Sequence, residues 1–193
     1  MNIRQFLNRM QNLSFYKIIK YLKVQEINQL LYESNGSLHV CNEQNIWQDN
    51  DYNIKLYSNS NQSGIVSVDE RITLYRSVYI LRQKEKIVHE SWVYFDPVLP
   101  AQFEFDKNIP LIGDCKTIPE YRGKGIYPLV LWYIANDLQK KNISTKAYVL
   151  VSPDNKALIR GIEKANFHFM GHLTAKRIFG LYTNKLKTMK RPK

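Results

Sequence analysis

Cysteine is scarce in this chain, which has only Cys41 and Cys115 among its 193 residues. The two lie far apart in the sequence and lack metal-ligand spacing, which argues against a disulfide framework and favours a reducing, cytoplasmic compartment. Cys115 stands in an apolar segment, and no histidine or aspartate pattern accompanies it. We therefore expect it to be a small buried residue and not a nucleophile.

Long apolar runs and a secretory leader pattern are missing as well. No segment reaches the roughly 18 consecutive apolar residues that a membrane-spanning helix needs, and residues 1–6 lead into a polar stretch without an apolar core or cleavage site. Glycine and proline are few, with 8 and 7 residues, while 44% of the chain is hydrophobic. This composition argues against a disordered chain and predicts one substantial folded domain.

Acidic residues are outnumbered, because 17 Asp and Glu stand against 28 Lys and Arg and leave a net charge of +11. Such an excess calls for an anionic partner or a role in solubility. Residues 176–193 hold seven basic residues and no acid, so we expect a solvated basic tail over 185–193. Weak contact with an anionic membrane surface or another polyanion is the alternative, and no nucleic-acid partner is expected.

The most informative stretch is a glycine-rich turn at residues 119–128, between a segment typical of a strand and one typical of a helix. Gly123 and Gly125 allow backbone angles closed to other residues and a close approach of a ligand to the main chain. A helix beginning here would point its N–H groups at an anion, and Arg122 and Lys124 add whole charges. The pattern indicates a phosphate-binding loop, but it matches neither the NTPase nor the dinucleotide motif.

Two segments carry a resemblance to a known family. The stretch Arg122–Tyr127 resembles the acyl-CoA-binding loop of the GNAT superfamily of N-acetyltransferases, written Arg/Gln-x-x-Gly-x-Gly/Ala, and departs from it at Tyr127, where a small residue is usual. Asn155–Phe167 is similar to the family's Asn-led helix that ends Glu-Lys-x-Gly-Phe. The resemblance covers residues 109–170, and the loop ending Gly-Ile-Tyr-Pro further resembles bacterial acyltransferases that act on surface-polysaccharide precursors.

The order of the predicted elements is that of an α+β protein with a mixed central sheet flanked by helices, in agreement with the GNAT architecture. Apolar residues at helical spacing over Ser14–Glu33 predict an N-terminal helical extension, residues 1–35, packed on a domain of residues 36–184. Helices are also predicted over 129–140 and after Asn155. Strands are expected over 38–41, 54–57, 73–81, 87–95, 111–117, 146–151, 167–173 and 177–182.

The resemblance implies acetyl-CoA, or another acyl-CoA, as the cofactor, and its phosphates would account for part of the positive charge. It implies that the strands at 111–117 and 146–151 splay apart and that the acyl arm lies in the gap. The residues that it assigns to cofactor binding are Thr117, Ile118, Arg122, Gly123, Lys124, Gly125, Ile126, Tyr127 and Asn155.

Acyl transfer to an amine needs a base for the amine and often an acid for the leaving thiolate. Asp114 interrupts an apolar strand directly before the loop, so its carboxylate must be paired, exposed or functional. His89 has the better pKa for a base near neutral pH, although a structural role is the alternative, and strand alternation places Glu90 on the opposite face.

Many family members place the acid on a tyrosine seven residues after the helix-leading asparagine, where this chain has Ile162. Tyr127 on the loop and Tyr133 on the helix that follows it are the alternatives, and a thiolate can also leave unassisted. Aromatic residues are expected to wall the acceptor site: Trp92, Tyr94, Phe95 and Trp132.

The leading hypothesis is an N-acetyltransferase that acylates a primary amine of a small molecule, with an amino sugar as the preferred acceptor, by direct attack in a ternary complex. The alternatives are a non-catalytic domain that binds coenzyme A and a basic protein that binds polyanions or membrane surfaces. No metal is expected, because His168 and His172 share one strand face without a carboxylate or cysteine partner.

Overall fold

The computed structural model of the protein describes residues 24–34, 51–58, 66–178 and 181–191. One sheet of eight strands organises these residues, in the order β2-β3-β4-β5-β6-β1-β7-β8. The strands are β1 Gln25–Ser34, β2 Tyr52–Tyr57, β3 Arg76–Gln83, β4 Lys86–Tyr94, β5 Leu111–Thr117, β6 Tyr148–Val151, β7 Phe167–Ile178 and β8 Leu181–Thr188. Among these described strands, β5 and β6 alone pair in parallel, so the prediction of a mixed sheet is confirmed.

In the described ranges, four helices pack on this sheet: α1 Val66–Asp69, α2 Val98–Gln102, α3 Ile126–Lys140 and α4 Lys156–Lys164. The longest, α3, buries Leu129, Val130 and Ile134 against the sheet, and a 3-10 turn at Pro119–Tyr121 precedes it. Within the described ranges, no helix has the length and apolarity to cross a membrane.

The core has two sides because neighbouring residues of a strand point to opposite faces. On one face, Tyr79 and Leu81 pack with α3 and α4 in the largest cluster of buried side chains. On the other face, Val78 and Ile80 pack with Trp92 and residues of the α1 segment, and a further cluster forms around Phe103, which follows α2. The site described below lies at β4, β5 and β6, and it has side chains on both faces of the sheet.

The predicted N-terminal helix over Ser14–Glu33 is wrong for residues 25–33, which form β1 between β6 and β7. Leu30, Leu31 and Tyr32 are all buried, and they contribute to clusters on both faces of the sheet. A strand covered on both faces has a continuous apolar run and not an alternating one, which explains why helical spacing fitted it. This part of the predicted extension therefore belongs to the sheet, while residues 14–23 and the strand predicted over 38–41 lie outside the described residues.

The predicted basic tail is also partly wrong, because β8 pairs with β7 as far as Thr188. Lys187 donates from Nζ to the carbonyl of Phe103 at 3.1 Å. Arg191 forms an ion pair of 2.7 Å with Glu163 and lies over the Phe169 ring. The two closing strands exist, but β7 is continuous through the break that was predicted after residue 173.

Candidate functional site

A gap opens in the sheet between β5 and β6. The two parallel strands pair only at Leu111 with Tyr148 and at Ile112 with Val149, although β5 continues to Thr117. The other edge of β6 is occupied by β1, which pairs with it as far as Val151. Beyond Ile112 the two strands are therefore no longer paired, and the main chain of β5 borders the gap between them.

A β-bulge distorts β5 beside this gap. Trp92 of β4 pairs with Gly113, and Glu90 pairs with Lys116, so Asp114 and Cys115 together oppose the single residue between them on β4. Asp114 has a φ of +46°, which is uncommon for any residue other than glycine. Bulges of this kind re-aim side chains next to active sites, and this one turns Asp114 out of the regular alternation.

The carboxylate of Asp114 has hydrogen-bond partners on one of its two oxygens. Its Oδ2 accepts a hydrogen bond from the Tyr94 hydroxyl at 2.6 Å and another from Arg71 Nη2 at 2.7 Å, whereas Oδ1 has no partner in the part of the chain that the structure describes. The carboxylate side chain is 57% exposed. Burial and the hydrogen bond to Asp114 raise the pKa of Tyr94 to about 12, so Tyr94 remains a donor. One carboxylate oxygen is held in place and the other is open.

Arg71 and Trp92 complete this group, which we call the open cluster: Arg71, Trp92, Tyr94 and Asp114. The guanidinium of Arg71 lies 4.2 Å from the centroid of the Trp92 ring, and Trp92 is fully buried beneath it. Trp92 and Tyr94 pack with the α1 side of the sheet, which places the open cluster on the face opposite to α3.

His89 lies on the α3 face, in a group that we call the enclosed cluster: His89, Ser91, Cys115 and Thr117. Nδ1 of His89 lies 2.6 Å from Thr117 Oγ1, and Nε2 lies 2.7 Å from Ser91 Oγ. Burial lowers the pKa of His89 to about 4 and raises the pKa of Cys115 to about 12. The imidazole is therefore neutral, and one hydroxyl donates to it while the other accepts from it. Glu90 is half-buried on the other face, as strand alternation predicted.

Tyr127, the second residue of α3, fills the position where a small residue was expected. Its ring packs against Gly161 of α4 so closely that an added Cβ there would lie 2.8 Å from Tyr127 Cδ1. The large side chain in the loop is thus matched by a missing side chain on the neighbouring helix. Burial raises the pKa of Tyr127, and its ring centroid is 6.3 Å from that of His89.

The other two positions considered for a proton donor are occupied differently. Ile162 is a fully buried residue of α4, and its side chain offers no polar atom. Tyr133 packs edge-on against Tyr79, with 6.3 Å between the ring centroids. Tyr127 thus contacts Gly161, the residue that precedes Ile162 in α4.

The glycine-rich loop has the geometry of an anion-binding turn. Gly123 and Gly125 have φ angles of +75° and +77°, and a Cβ at either position would meet nothing within 4 Å. The backbone conformation, and not lack of space, therefore requires glycine here. Because no side chain caps the start of α3, the N–H groups of Ile126 and Tyr127 remain available to an anion.

The cations of the loop have distinct positions. Arg122 donates from Nε to the Thr117 carbonyl at 3.1 Å and thereby braces the loop. Lys124 lies 4.8 Å from the centroid of the Tyr121 ring, and Lys86 lies 5.4 Å from the same ring. Sequence reasoning missed Lys86, because it stands in the β3–β4 hairpin and nothing but its charge marked it.

Several groups assigned to the cofactor from the sequence already have partners in the protein. Asn155 accepts a hydrogen bond from the Leu158 N–H at 3.1 Å and so caps α4. The Ile118 N–H donates to the carbonyl of Val88, and the Ile118 carbonyl accepts from the Tyr121 N–H. With Arg122 on the Thr117 carbonyl, the main chain at the end of β5 is largely engaged, in contrast to the part of β5 that borders the gap.

The remaining residues singled out from the sequence lie elsewhere. Phe95 and Trp132 pack with the α3 side of the sheet and not with Trp92 and Tyr94, so the predicted aromatic wall is divided between the two faces. His172 binds Asn28, and His168 lies 3.8 Å from Glu33. Over the described ranges, no group of three or more residues is arranged to hold a metal ion.

Solved structures share this architecture. A GNAT-family protein from Novosphingobium aromaticivorans superimposes with a TM-score of 0.52 at 15% identity, over 79% of this chain and 64% of its own. A GNAT acetyltransferase from Colwellia psychrerythraea gives a TM-score of 0.50 at 14% identity, over 79% of this chain and 55% of its own. The fold is that of the GNAT acetyltransferases.

A functionally unknown conserved protein from Staphylococcus epidermidis also superimposes on this chain, with a TM-score of 0.50 at 12% identity over 83% of this chain and 66% of its own. This chain thus spans between about half and two thirds of the length of these structures. No family model matches the sequence, and no curated protein is significantly similar to it. The likeness to the GNAT proteins therefore establishes the fold alone.

Proposed function

We propose that the protein transfers an acyl group, most simply acetyl, from its coenzyme A thioester to a primary amine of a small molecule. The observation that carries this proposal is the gap between β5 and β6, with the glycine-rich loop at its end and Asp114 at its edge. The GNAT-like fold of the solved structures supports it. We further propose an amino sugar as acceptor and the cytoplasm as the compartment, on the sequence features given above.

The loop and the gap would hold the cofactor, which supplies an activated acyl group when bound. The free N–H groups at the start of α3 and the side chains of Lys124 and Lys86 suit its phosphates. The main chain from Gly113 to Lys116 suits the extended arm, because Thr117 and Ile118 are engaged within the protein. The proposed phosphate-binding loop and the proposed arm-binding strand β5 are consecutive parts of the chain.

Asp114 is the base that the geometry favours. Its open Oδ1 can accept a hydrogen bond and then a proton from an incoming ammonium, while Tyr94 and Arg71 hold the other oxygen. His89 is a positioning residue in this proposal, because both of its ring nitrogens are engaged and its ring is buried. Tyr127 is the proposed acid for the leaving thiolate, since it retains its proton and packs against Gly161, the residue before Ile162.

The activity is tested by thiol release from acetyl-CoA across a panel of primary amines that includes amino sugars. Turnover with at least one amine above the hydrolysis background supports the proposal. Binding of acetyl-CoA without turnover on any amine favours the non-catalytic alternative, for which the buried Ile162 is the specific observation.

The loop assignment is tested separately by calorimetry. Arg122→Ala combined with Lys124→Ala should weaken acetyl-CoA binding by about tenfold or more, since charge-assisted contacts to phosphate are strong and Arg122 also braces the loop. Lys86→Ala alone should weaken it several-fold and reduce its salt dependence. Lys140→Ala, at the far end of α3, is the matched control. Unchanged affinity in the double variant would remove the loop from the site.

The polyanion-binding alternative is weakened by the contacts of the basic C-terminal residues. Lys187 and Arg191 are engaged within the protein, although Lys185 and Lys190 are exposed. The polyanion-binding alternative is tested by replacing Lys185 and Lys190 with glutamine and measuring binding to anionic vesicles.

A further inference from the structure

Arg71 is held in a fixed position above the sheet. Its guanidinium lies 4.2 Å from the ring centroid of Trp92, and Trp92 is itself fully buried, so the platform beneath the guanidinium is rigid. Arginine on an aromatic face keeps its charge and its planar array of donors. A guanidinium fixed in this way loses little further freedom when it binds a ligand.

The donors of Arg71 are only partly used. Arginine has five N–H donors, and within the described residues Arg71 donates through Nη2 to Asp114 at 2.7 Å, beside the Tyr94 hydroxyl that donates to the same oxygen. The Arg71 side chain is 41% exposed. Donors therefore remain for an oxyanion that arrives from solvent, and a carboxylate or phosphate fits their geometry.

Asp114 presents its complementary charge next to this donor array. Arg71 and Tyr94 both bind Oδ2 and leave Oδ1 open. An arginine whose role is simply to neutralise a carboxylate frequently binds both carboxylate oxygens with two parallel N–H groups. Arg71 binds one oxygen of Asp114, which leaves the other for a substrate amine. An exposed ion pair of this kind also adds only about 0–1 kcal/mol to stability, so fold stability does not explain the arrangement.

We propose that Arg71 is an anion subsite of the acceptor site, so that the acceptor carries an oxyanion, carboxylate or phosphate, close to the amine that Asp114 receives. This inference rests on the proposed acyl transfer and narrows its substrate class. An amine with no anionic group would place a second positive charge beside Arg71, with the single carboxylate of Asp114 to balance both. A molecule with both charges matches Arg71 and Asp114 at once.

The test compares matched pairs of acceptors in the thiol-release assay: glucosamine 6-phosphate with glucosamine, O-phosphoethanolamine with ethanolamine, and glycine with glycinamide. The wild-type protein should show kcat/KM about tenfold or more higher for the anionic member of at least one pair. Arg71→Gln should abolish that preference through KM with little change in kcat, and Arg71→Lys should retain part of it. Lys140→Gln removes the same charge far from the site and should change nothing.

Three outcomes would overturn the inference: no preference in the wild type, equal effects of Arg71→Gln on both members of each pair, or faster turnover of the neutral amines in that variant. Absence of thiol release with every amine would instead count against the proposed function. In that case calorimetric titration of the same anionic amines into wild-type and Arg71→Gln protein still decides the question. Arg71-dependent binding supports the anion subsite, and binding that is absent or unaffected excludes it.

Discussion

The enclosed cluster and the open cluster lie on opposite faces of the same two strands, β4 and β5, yet their polar groups are satisfied in opposite ways. In the enclosed cluster, both ring nitrogens of His89 have hydroxyl partners, and the ring is buried. In the open cluster, Asp114 keeps one oxygen unpartnered within the described residues and exposes 57% of its side chain. A polar group that is buried and fully bonded stabilises a fold, whereas one that is oriented but incompletely bonded is available for a ligand.

The difference follows from where the bulge lies. His89 and Ser91 lie on β4, the strand opposite the bulge of β5, and they pair with Leu81 and Tyr79 on their other side. Asp114 stands in the irregular part of β5, at a positive φ. Such strain is maintained only where the surrounding structure fixes it, here through Tyr94 and Arg71. The irregular residue, and not the histidine with the more suitable intrinsic pKa, therefore reaches the edge of the gap.

The largest effect is expected when the open cluster loses its base. Asp114→Asn should lower kcat/KM by about a hundredfold to ten-thousandfold, the usual contribution of a general base, while acetyl-CoA binding by calorimetry stays the same. Glu85→Gln, an exposed carboxylate in the β3–β4 hairpin, is the control. A loss of less than about threefold in Asp114→Asn would move the base elsewhere.

The enclosed cluster should respond through stability. The pKa of His89 falls from 6.5 to about 4 on folding, so between these values the unfolded chain binds a proton that the folded chain does not. The contribution of neutral His89 to the free energy of unfolding should therefore be fully present well above pH 6.5. It should be lost as the pH falls, so that the free energy of unfolding is lower by about 2 kcal/mol at pH 5 and by about 3 kcal/mol near pH 4.

Urea unfolding at pH 7.5 and pH 5 measures this effect. The neutral variant His89→Gln should lose less stability over that interval than the wild type, and the exposed His168→Gln should behave like the wild type. Equal pH dependence in His89→Gln and the wild type would show that His89 is not the group responsible. If His89→Gln shifted the pH profile of kcat/KM and left the stability unchanged, His89 would have a role in the reaction itself.

A smaller effect is expected where Tyr127 meets α4. Gly161→Ala places a Cβ 2.8 Å from Tyr127 and should lower the free energy of unfolding by about 1–3 kcal/mol. In a Tyr127→Ala background the same change should be neutral or stabilise by up to about 1 kcal/mol, because alanine favours helix over glycine. A double-mutant cycle by urea unfolding checks the reversal; additive effects would contradict the contact.

Sequence reasoning succeeded where function and structure depend on neighbouring residues. The loop at 122–127, β5, α3 and the capped helix α4 all carry local signals, and the structure places them as predicted. The same reasoning could not find Arg71 or Lys86, since each reaches the site from a distant turn and carries no pattern beyond its charge. It also misassigned β1, because burial on both faces removes the alternation that marks a strand.

The position of β1 has a consequence for how the protein is made. β1 is synthesised before every other described strand, yet it pairs with β6 and β7, and the hydrogen bond between His172 and Asn28 joins residues 144 positions apart. Contacts this distant slow folding, because a long loop must close before they form. Until β6 has left the ribosome, Leu30, Leu31 and Tyr32 have no partner strand, so the growing chain exposes these apolar residues for most of its synthesis.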